Sequence, residues 1–189
     1  PIAAFDTTLI FNNGSAITST NDMGTFVLNK LQLNGAGLTL NGNGLFFAGT
    51  GAAFSASPGA THTVNAPVLL DGQTSFSIPS GTVTVSQPVT GAGGITKSGA
   101  GTLALSGANT YRGNTILDGG TTRLTADQTL EGDLTFGTAA GSTAVSSLDL
   151  SGASLSVADL VVQTNTATAN TLTIAAGRSL TVRGSADFG

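Results

Sequence analysis

The stretch "SGAGTLALSGANTYRGNT", residues 98–115, decides how the whole chain is interpreted. Its "TLAL" segment, 102–105, alternates residues in the manner of a half-buried strand and lies between two glycine-containing pairs. The polar segment "NTYRG", 109–113, follows, and Asn and Gly favour a sharp change of chain direction. We therefore predict a strand at 102–105 and, at 109–113, the corner that leads into the next strand.

The same alternation recurs along the chain, and no segment has the periodicity of a helix. The alternating runs are 8–11, 26–33, 37–40, 44–47, 62–64, 67–70, 75–78, 83–85, 101–105, 114–117, 122–124, 133–136, 147–150, 154–157, 160–162, 171–174 and 179–182. Between them stand dipeptides whose residues accept positive φ readily, namely Asn13-Gly14, Asn34-Gly35, Asn41-Gly42, Asn43-Gly44, Asp71-Gly72 and Asp118-Gly119. The chain is therefore predicted to be all-β.

Three stretches share one plan of two alternating apolar residues, a short turn and two more apolar residues. They are "LTLNGNGL", "LDLSGASLSV" and "LTIAAGRSLTV". Small self-similar units indicate a solenoid. Strands begin about every ten residues, so a coil of roughly twenty residues, stacked at ~4.8 Å, gives a rod on the order of 40 to 50 Å long. We predict one parallel β-helix over 1–189; an antiparallel β-sandwich is the alternative, because Asn-Gly turns also suit hairpins.

Composition narrows the range of functions. Of the 189 residues, 40% are hydrophobic and 8% are charged, the net charge is −4, and there is no cysteine. The cations are too few for a nucleic-acid surface, and the missing thiols exclude disulfides and thiolate metal sites. Apolar runs are only strand-sized, so we expect no direct membrane insertion by this segment. The chain starts at Pro1 without Met, so we expect a piece of a longer precursor.

Residues 91–124, "GAGGITKSGAGTLALSGANTYRGNTILDGGTTRL", resemble the passenger-associated repeat of bacterial autotransporters, also called the autotransporter-associated β-strand repeat. The resemblance rests on the glycines, Lys97, "GTLAL", "SGANTY" and the closing Gly-Thr. Arg112 stands where the family usually has Thr, and Thr122 stands where Leu commonly follows. The flanks, 1–90 and 125–189, share only composition and rhythm with such passengers, so we predict generic coils there.

The resemblance implies a right-handed parallel β-helix that a C-terminal translocator barrel exports across the outer membrane. It implies a location on the bacterial cell surface or in the medium. It also implies adhesion, self-association, virulence or passenger folding as roles, with a surface protein, a glycan or another copy as partner. No catalytic residue and no cofactor is implied.

Candidate catalytic or metal-binding residues are few. His62 is the sole histidine, and its place between two threonines near the start of a strand predicts a solvent-facing or capping residue. Asp127, Glu131 and Asp133 form an acidic group, in which Glu131 and Asp133 would project from one face about 7 Å apart, a spacing that suits an inverting glycosidase. Without Trp and with a single Tyr, the chain has no sugar-stacking platform, so a solvated turn is preferred.

The cations do not form a cluster either. They are scattered as Lys30, Lys97, Arg112, Arg123, Arg178 and Arg183, so the basic group that a polysaccharide lyase needs is not expected. No metal site is expected.

Tyr111 and Arg112 are the candidate interaction residues, because both types are favoured at interfaces and they stand together in an Asn-rich corner. The alternative for Tyr111 is packing within the fold of its own repeat.

We therefore predict a non-enzymatic passenger segment that serves as a rigid stalk for adhesion, self-association or passenger secretion and folding. A carbohydrate-active β-helix enzyme is the alternative function. Open solenoid ends expose unpaired backbone groups, so end-to-end association is also predicted.

Overall fold

A computed structural model describes residues 5–138, 144–163 and 170–189. In these ranges the chain forms strands and no helix, and every strand pairing is parallel. The strands are β1 (Thr8–Phe11), β2 (Ile17–Asn21), β3 (Phe26–Leu28), β4 (Lys30–Leu33), β5 (Leu38–Gly42), β6 (Leu45–Phe47), β7 (Ala53–Ala56), β8 (Thr61–Asn65), β9 (Val68–Leu70), β10 (Thr74–Ser77), β11 (Thr82–Val85), β12 (Val89–Gly91), β13 (Ile95–Ser98), β14 (Thr102–Leu105), β15 (Thr115–Asp118), β16 (Gly120–Leu124), β17 (Gln128–Thr129), β18 (Leu134–Phe136), β19 (Ser146–Leu150), β20 (Leu155–Val157), β21 (Leu160–Val162), β22 (Thr171–Ile174), β23 (Leu180–Val182) and β24 (Ala186–Phe188).

The strands stack as about eight turns of a β-solenoid with three faces. Sheet A joins β1, β4, β7, β10, β13, β15, β18, β21 and β24, and sheet B joins β2, β5, β8, β11, β14, β16, β19 and β22. The third face is divided into sheet C, with β3, β6, β9 and β12, and sheet D, with β17, β20 and β23. The coils are numbered 1 to 8 by their strand in sheet A, from β1 to β21. The predicted parallel β-helix is confirmed, and the antiparallel sandwich is wrong; the right-handed sense stays a prediction.

Coil length varies along the rod, and the shortest coils lie in its middle. The register pairs Thr74 with Ile95, Ile95 with Thr115, and Thr115 with Leu134, which gives coils of 21, 20 and 19 residues. The next step pairs Leu134 with Leu160, a coil of 26 residues. At ~4.8 Å per coil, eight coils make a rod of about 40 Å, in keeping with the predicted dimension.

Alternation along each strand sends one set of side chains into a narrow core, where residues in register form columns. The rings of Phe54 and Phe76, in adjacent coils of sheet A, stack with centroids 5.2 Å apart. Phe47 is fully buried, while its neighbour Phe46 points outward and is half-buried, as the alternation requires. The core is therefore continuous from coil to coil rather than collected in one centre.

The outer face of sheet B is rich in threonine. One outward column contains Thr61, Thr82, Thr102 and Thr121, and its neighbour contains Thr18, Thr39, Thr63 and Thr84. Because residues in a column lie ~4.8 Å apart, uncharged hydroxyls avoid the repulsion that stacked like charges would cause. The low charge content is thus a consequence of the solenoid.

The corners differ from expectation in one respect. Among the described residues, only glycines take positive φ, for example Gly42 and Gly119, and the asparagines and aspartates of the turn dipeptides do not. Asn29 divides the predicted run 26–33 into β3 and β4, and its buried Nδ2 donates to the carbonyl oxygens of Ala48 at 2.9 Å and Thr50 at 3.1 Å. Asparagine therefore serves these corners through its side chain rather than through its backbone conformation.

Large exposed apolar side chains gather at the two ends of the rod. Of nine among the described residues, seven lie there: Phe5, Ile10, Ile17, Met23, Leu172, Ile174 and Phe188. In the described ranges, no helix is long and apolar enough to cross a membrane.

Candidate functional site

Lys97 is a charged residue inside an apolar column of sheet A. The register places it between Phe76 of coil 4 and Leu117 of coil 6, and its side chain is fully buried. Its Nζ donates to the carbonyl oxygens of Ser98 at 3.0 Å, Gly99 at 2.7 Å and Gly119 at 3.0 Å. All three ammonium hydrogens thus have acceptors, and the bond to Gly119 ties coil 5 to coil 6.

Burial lowers the pKa of Lys97 to about 8, because desolvation disfavours the ammonium. The side chain is therefore still mostly charged at neutral pH.

The third face of coil 5 contains no strand. The segment that follows β14 lies there instead, and its side chains fill the core. Backbone bonds from Thr110 to Val89 and from Arg112 to Gly91 align this segment with β12. This alignment places Asn109 next to Val89, whose N–H donates to Asn109 Oδ1 at 2.8 Å.

Tyr111 occupies the same corner of the core. It lies beside Gly91, in the column that Phe47 and Leu70 fill in earlier coils. Its hydroxyl shares a hydrogen bond with Thr115 Oγ1 at 2.7 Å, and burial raises its pKa to about 12. With the side chain 1% exposed, the interaction role predicted for Tyr111 is wrong, and packing within its own repeat is what the structure shows.

Arg112 alternates to the outside of the same segment. Its Nε lies 3.5 Å from Glu131 Oε2, and both side chains are about two-thirds exposed. An ion pair in such a solvated position contributes little to stability. Arg112 therefore stays a predicted interaction residue.

Glycines bring consecutive coils into close contact at the corner that precedes sheet A. The N–H of Gly113 donates to Gly93 O at 2.9 Å, and a Cβ at Gly113 would lie 2.5 Å from the backbone nitrogen of Gly94. A Cβ at Gly132, one coil later, would lie 2.3 Å from Gly113 O. No side chain fits between these backbones, which explains why Gly93, Gly113 and Gly132, stacked in consecutive coils, are all glycine.

The acidic residues Asp127, Glu131 and Asp133 each contact a group in a neighbouring coil. Asp133 Oδ1 accepts from the N–H of Asp159 at 3.3 Å, and Asp133 in turn donates its own N–H to Asn114 Oδ1 at 3.0 Å. Asp127 Oδ1 accepts from the N–H of Ser154 at 2.7 Å and from an Arg178 guanidinium nitrogen at 3.0 Å. Glu131 faces Arg112, so each carboxylate has a structural partner.

His62 is fully buried, so a solvent-facing position is wrong. The flanking threonines point outward, and alternation turns the imidazole into the core column next to Val83. Its Nδ1 accepts the N–H of Leu38 at the start of β5 at 3.1 Å, which is a capping role, and Nε2 has no partner. Burial lowers the pKa of His62, and the described residues contain no cluster of His, Asp or Glu able to hold a metal ion.

Comparison with known proteins identifies the segment that holds Lys97 and Tyr111. Residues 95–124 match the family model of the passenger-associated-transport-repeat. Residues 95–124 are an autotransporter passenger repeat.

A 42-residue segment of the chain is 52% identical to the adhesin BmaC autotransporter of Brucella suis biovar 1 (strain 1330). The match covers 22% of this chain and 1% of that protein. The chain therefore spans a very small part of this relative. No solved structure matches the chain significantly.

The passenger repeat extends from β13 to the end of β16, which is coil 5 and the first two strands of coil 6. It contains the buried lysine, the buried tyrosine and Gly113. The place of Lys97 among six scattered cations does not by itself predict that Lys97 is buried. The signal was present, because Lys97 stands two residues after Ile95 and so shares its inward face.

Proposed function

We propose that this chain is a non-enzymatic stalk segment of an autotransporter passenger, located on the cell surface or secreted, in which the passenger repeat secures the stacking of coils. One observation carries the proposal. The passenger repeat supplies two adjacent strands to each of the uninterrupted sheets A and B, and Lys97 Nζ ties the two levels together through the carbonyl oxygens of Gly99 and Gly119.

The chemistry of the described surface supports a structural role. The carboxylates that suggested a glycosidase accept backbone or guanidinium hydrogens from neighbouring coils, which holds them in the scaffold. Glu131→Gln and Asp133→Asn test the enzyme alternative on a panel of polysaccharides. Turnover by the unmodified protein that both amides abolish would replace the stalk proposal with a carbohydrate-active one.

Adhesion is the proposed role of the assembled passenger, and the relative's description as an adhesin supports it. The partner would be a surface protein, a glycan or another copy of the chain. Within this segment, Arg112 is the proposed contact, because its guanidinium is exposed at a corner of the passenger repeat. The stalk role requires no ligand-binding residue. Removal of the Arg112 side chain is therefore expected to reduce adhesion and leave secretion unchanged, so it tests the two roles separately.

A one-coil deletion in the natural gene tests the role of the passenger repeat. Ile95 is in register with Thr115, so removing residues 95–114 leaves the columns of sheet A in phase. The matched control removes residues 53–74, one coil outside the repeat, because Ala53 is in register with Ser75. Surface display on intact cells is measured by protease accessibility.

We expect the 95–114 deletion to reduce display several-fold more than the 53–74 deletion. Equal losses of surface display in the two deletion variants would show that the passenger repeat is no more important for display than any other coil. Unchanged display in both variants would show that the passenger repeat has no role in secretion. Either result would overturn the function proposed for the passenger repeat.

A further inference from the structure

The third face of the solenoid is interrupted between coil 5 and coil 6. Sheet C ends at β12, sheet D begins at β17, and the intervening segment 106–114 contains no strand. Sheets A and B continue across this level through the pairs β13 with β15 and β14 with β16. Among the described residues, no backbone hydrogen bond joins 106–113 to 126–132. The two facing segments, 106–113 and 126–132, are together called the seam.

Amide side chains replace apolar ones in the core at the seam. The third-face column contains Leu45, Val68 and Val89 before the seam, and Leu155 is in register with Gln128 after it. Asn109 and Gln128 occupy the two levels between. The apolar column is therefore broken at the level where the backbone ladder is broken.

Several of these polar atoms are buried without a partner. They are Asn109 Nδ2, both polar atoms of the Gln128 amide and, on sheet B of coil 6, Thr122 Oγ1. Asn109 is 1% exposed, Thr122 3% and Gln128 6%, so the protein itself shields them from bulk water. A buried polar atom without a hydrogen bond favours states in which water reaches it. Opening the seam would let water reach the amides of Asn109 and Gln128, which lie in its two segments.

Two described contacts oppose that opening on the third face: the close approach of Gly132 to the backbone of Gly113 at the edge of the seam, and one ion pair. The Arg112–Glu131 pair crosses the seam at 3.5 Å, but it is solvated. The strong links between coils 5 and 6 lie elsewhere, in the ladders of sheets A and B and in the bond from Lys97 to Gly119.

We propose that the solenoid opens first at the seam, so that coils 1–5 and coils 6–8 form two cooperative units that the passenger repeat joins. Solenoid stability is a sum of units and of the interfaces between neighbours, so the weakest interface sets the boundary between units. The inference stands on the seam's own contacts and does not depend on the proposed function.

Tyr111 makes the seam directly observable. It is the sole tyrosine of a chain without tryptophan, so intrinsic fluorescence reports on the seam, while far-ultraviolet circular dichroism reports on all strands. In a urea titration we expect the fluorescence transition to precede the dichroism transition. Coincident transitions would overturn the proposal.

Hydrogen exchange of the unmodified protein is the second measurement. Amides of 106–112 and 126–131 are expected to exchange at least tenfold faster than those of β14 and β16 in the same coils. Equal protection of these two sets of amides would also overturn the proposal. Because this measurement uses only the unmodified protein, it does not depend on whether a variant folds.

Gln128→Leu extends the apolar column of Leu155 and removes the unpartnered amide, so it is expected to bring the two urea transitions together. Thr129→Val is the matched control, because Thr129 is its outward-facing neighbour. The control should leave the two midpoints as far apart as in the unmodified protein. A Gln128→Leu variant with unchanged separation would contradict the seam as the cause.

Discussion

Raising the pH from 7 to 10 should stabilise the folded protein through Lys97. The folded pKa is about 8, because burial disfavours the ammonium, and the ordinary value of 10.5 applies to the unfolded chain. Between these values the unfolded chain binds more protons than the folded chain, so the free energy of unfolding rises with pH. Integration of this difference gives a gain of about 2.5 kcal/mol from pH 7 to pH 10.

Two features of the structure limit the size of this gain. A neutral amine donates two hydrogens where the ammonium donates three, so one of the carbonyl oxygens of Ser98, Gly99 and Gly119 loses its donor. Above pH 10 the contribution of Tyr111 has the opposite sign, because its folded pKa is raised to about 12 and the unfolded chain loses that proton first. The titration therefore stops at pH 10.

Urea unfolding followed by circular dichroism at pH 7, 8, 9 and 10 measures the effect. Lys97→Met should abolish the gain. Lys30→Met should retain it, because Lys30 is an exposed lysine of the same sheet. A flat pH profile of the unmodified protein, or the same rise in Lys97→Met, would refute the buried position of the ammonium.

Four further predictions follow from other described contacts. Below pH 6.5 the unmodified protein should lose stability in urea, because burial lowers the pKa of His62 and the unfolded chain binds the proton first; His62→Leu should lack this loss. Gly113→Ala should cost about 1 to 3 kcal/mol in thermal unfolding, whereas Gly14→Ala, with nothing near its Cβ, should change stability by under about 0.5 kcal/mol. Tyr111→Phe should lower the free energy of unfolding by about 1 kcal/mol, because Thr115 Oγ1 loses its hydrogen-bond partner. Arg112→Ala should lower it by under about 0.5 kcal/mol, because the ion pair with Glu131 is exposed to solvent. Sedimentation should show concentration-dependent association through the apolar ends of the rod, and a strict monomer at high concentration would contradict that.

Alternation along the sequence predicts the strands, and the three self-similar stretches favour a solenoid over a sandwich. The predicted strand at 102–105 is β14, and the predicted run at 8–11 is β1. Local periodicity predicts strands well in a solenoid, because each strand repeats the same inward and outward pattern as its neighbours. Strands with little apolar contrast were not predicted, such as β2, "ITSTN", and β17, "QT".

The candidate site was less predictable, because it depends on register between coils. Tyr111 is buried because it continues the core column that contains Phe47 and Leu70, and that position is visible only after the coils are aligned. His62 shows the opposite case, because strand alternation with the outward-pointing Thr61 and Thr63 is a sequence signal for an inward imidazole, and the solvent-facing prediction did not use it. Lys97 also follows that alternation, but its three carbonyl acceptors come from two corners that only the fold brings together.

Disulfide formation between engineered cysteines tests the central claim of a parallel solenoid in this register. Thr82 and Thr102 are in register in adjacent coils of sheet B, so their Cα atoms lie ~4.8 Å apart, within the range that a disulfide spans. The chain has no cysteine of its own, so the double variant Thr82→Cys/Thr102→Cys gives an unambiguous readout. It should oxidise rapidly within one chain, whereas Thr84→Cys/Thr102→Cys, shifted by two residues, should not. Equal oxidation of both pairs, or oxidation of the shifted pair alone, would contradict the solenoid and its register.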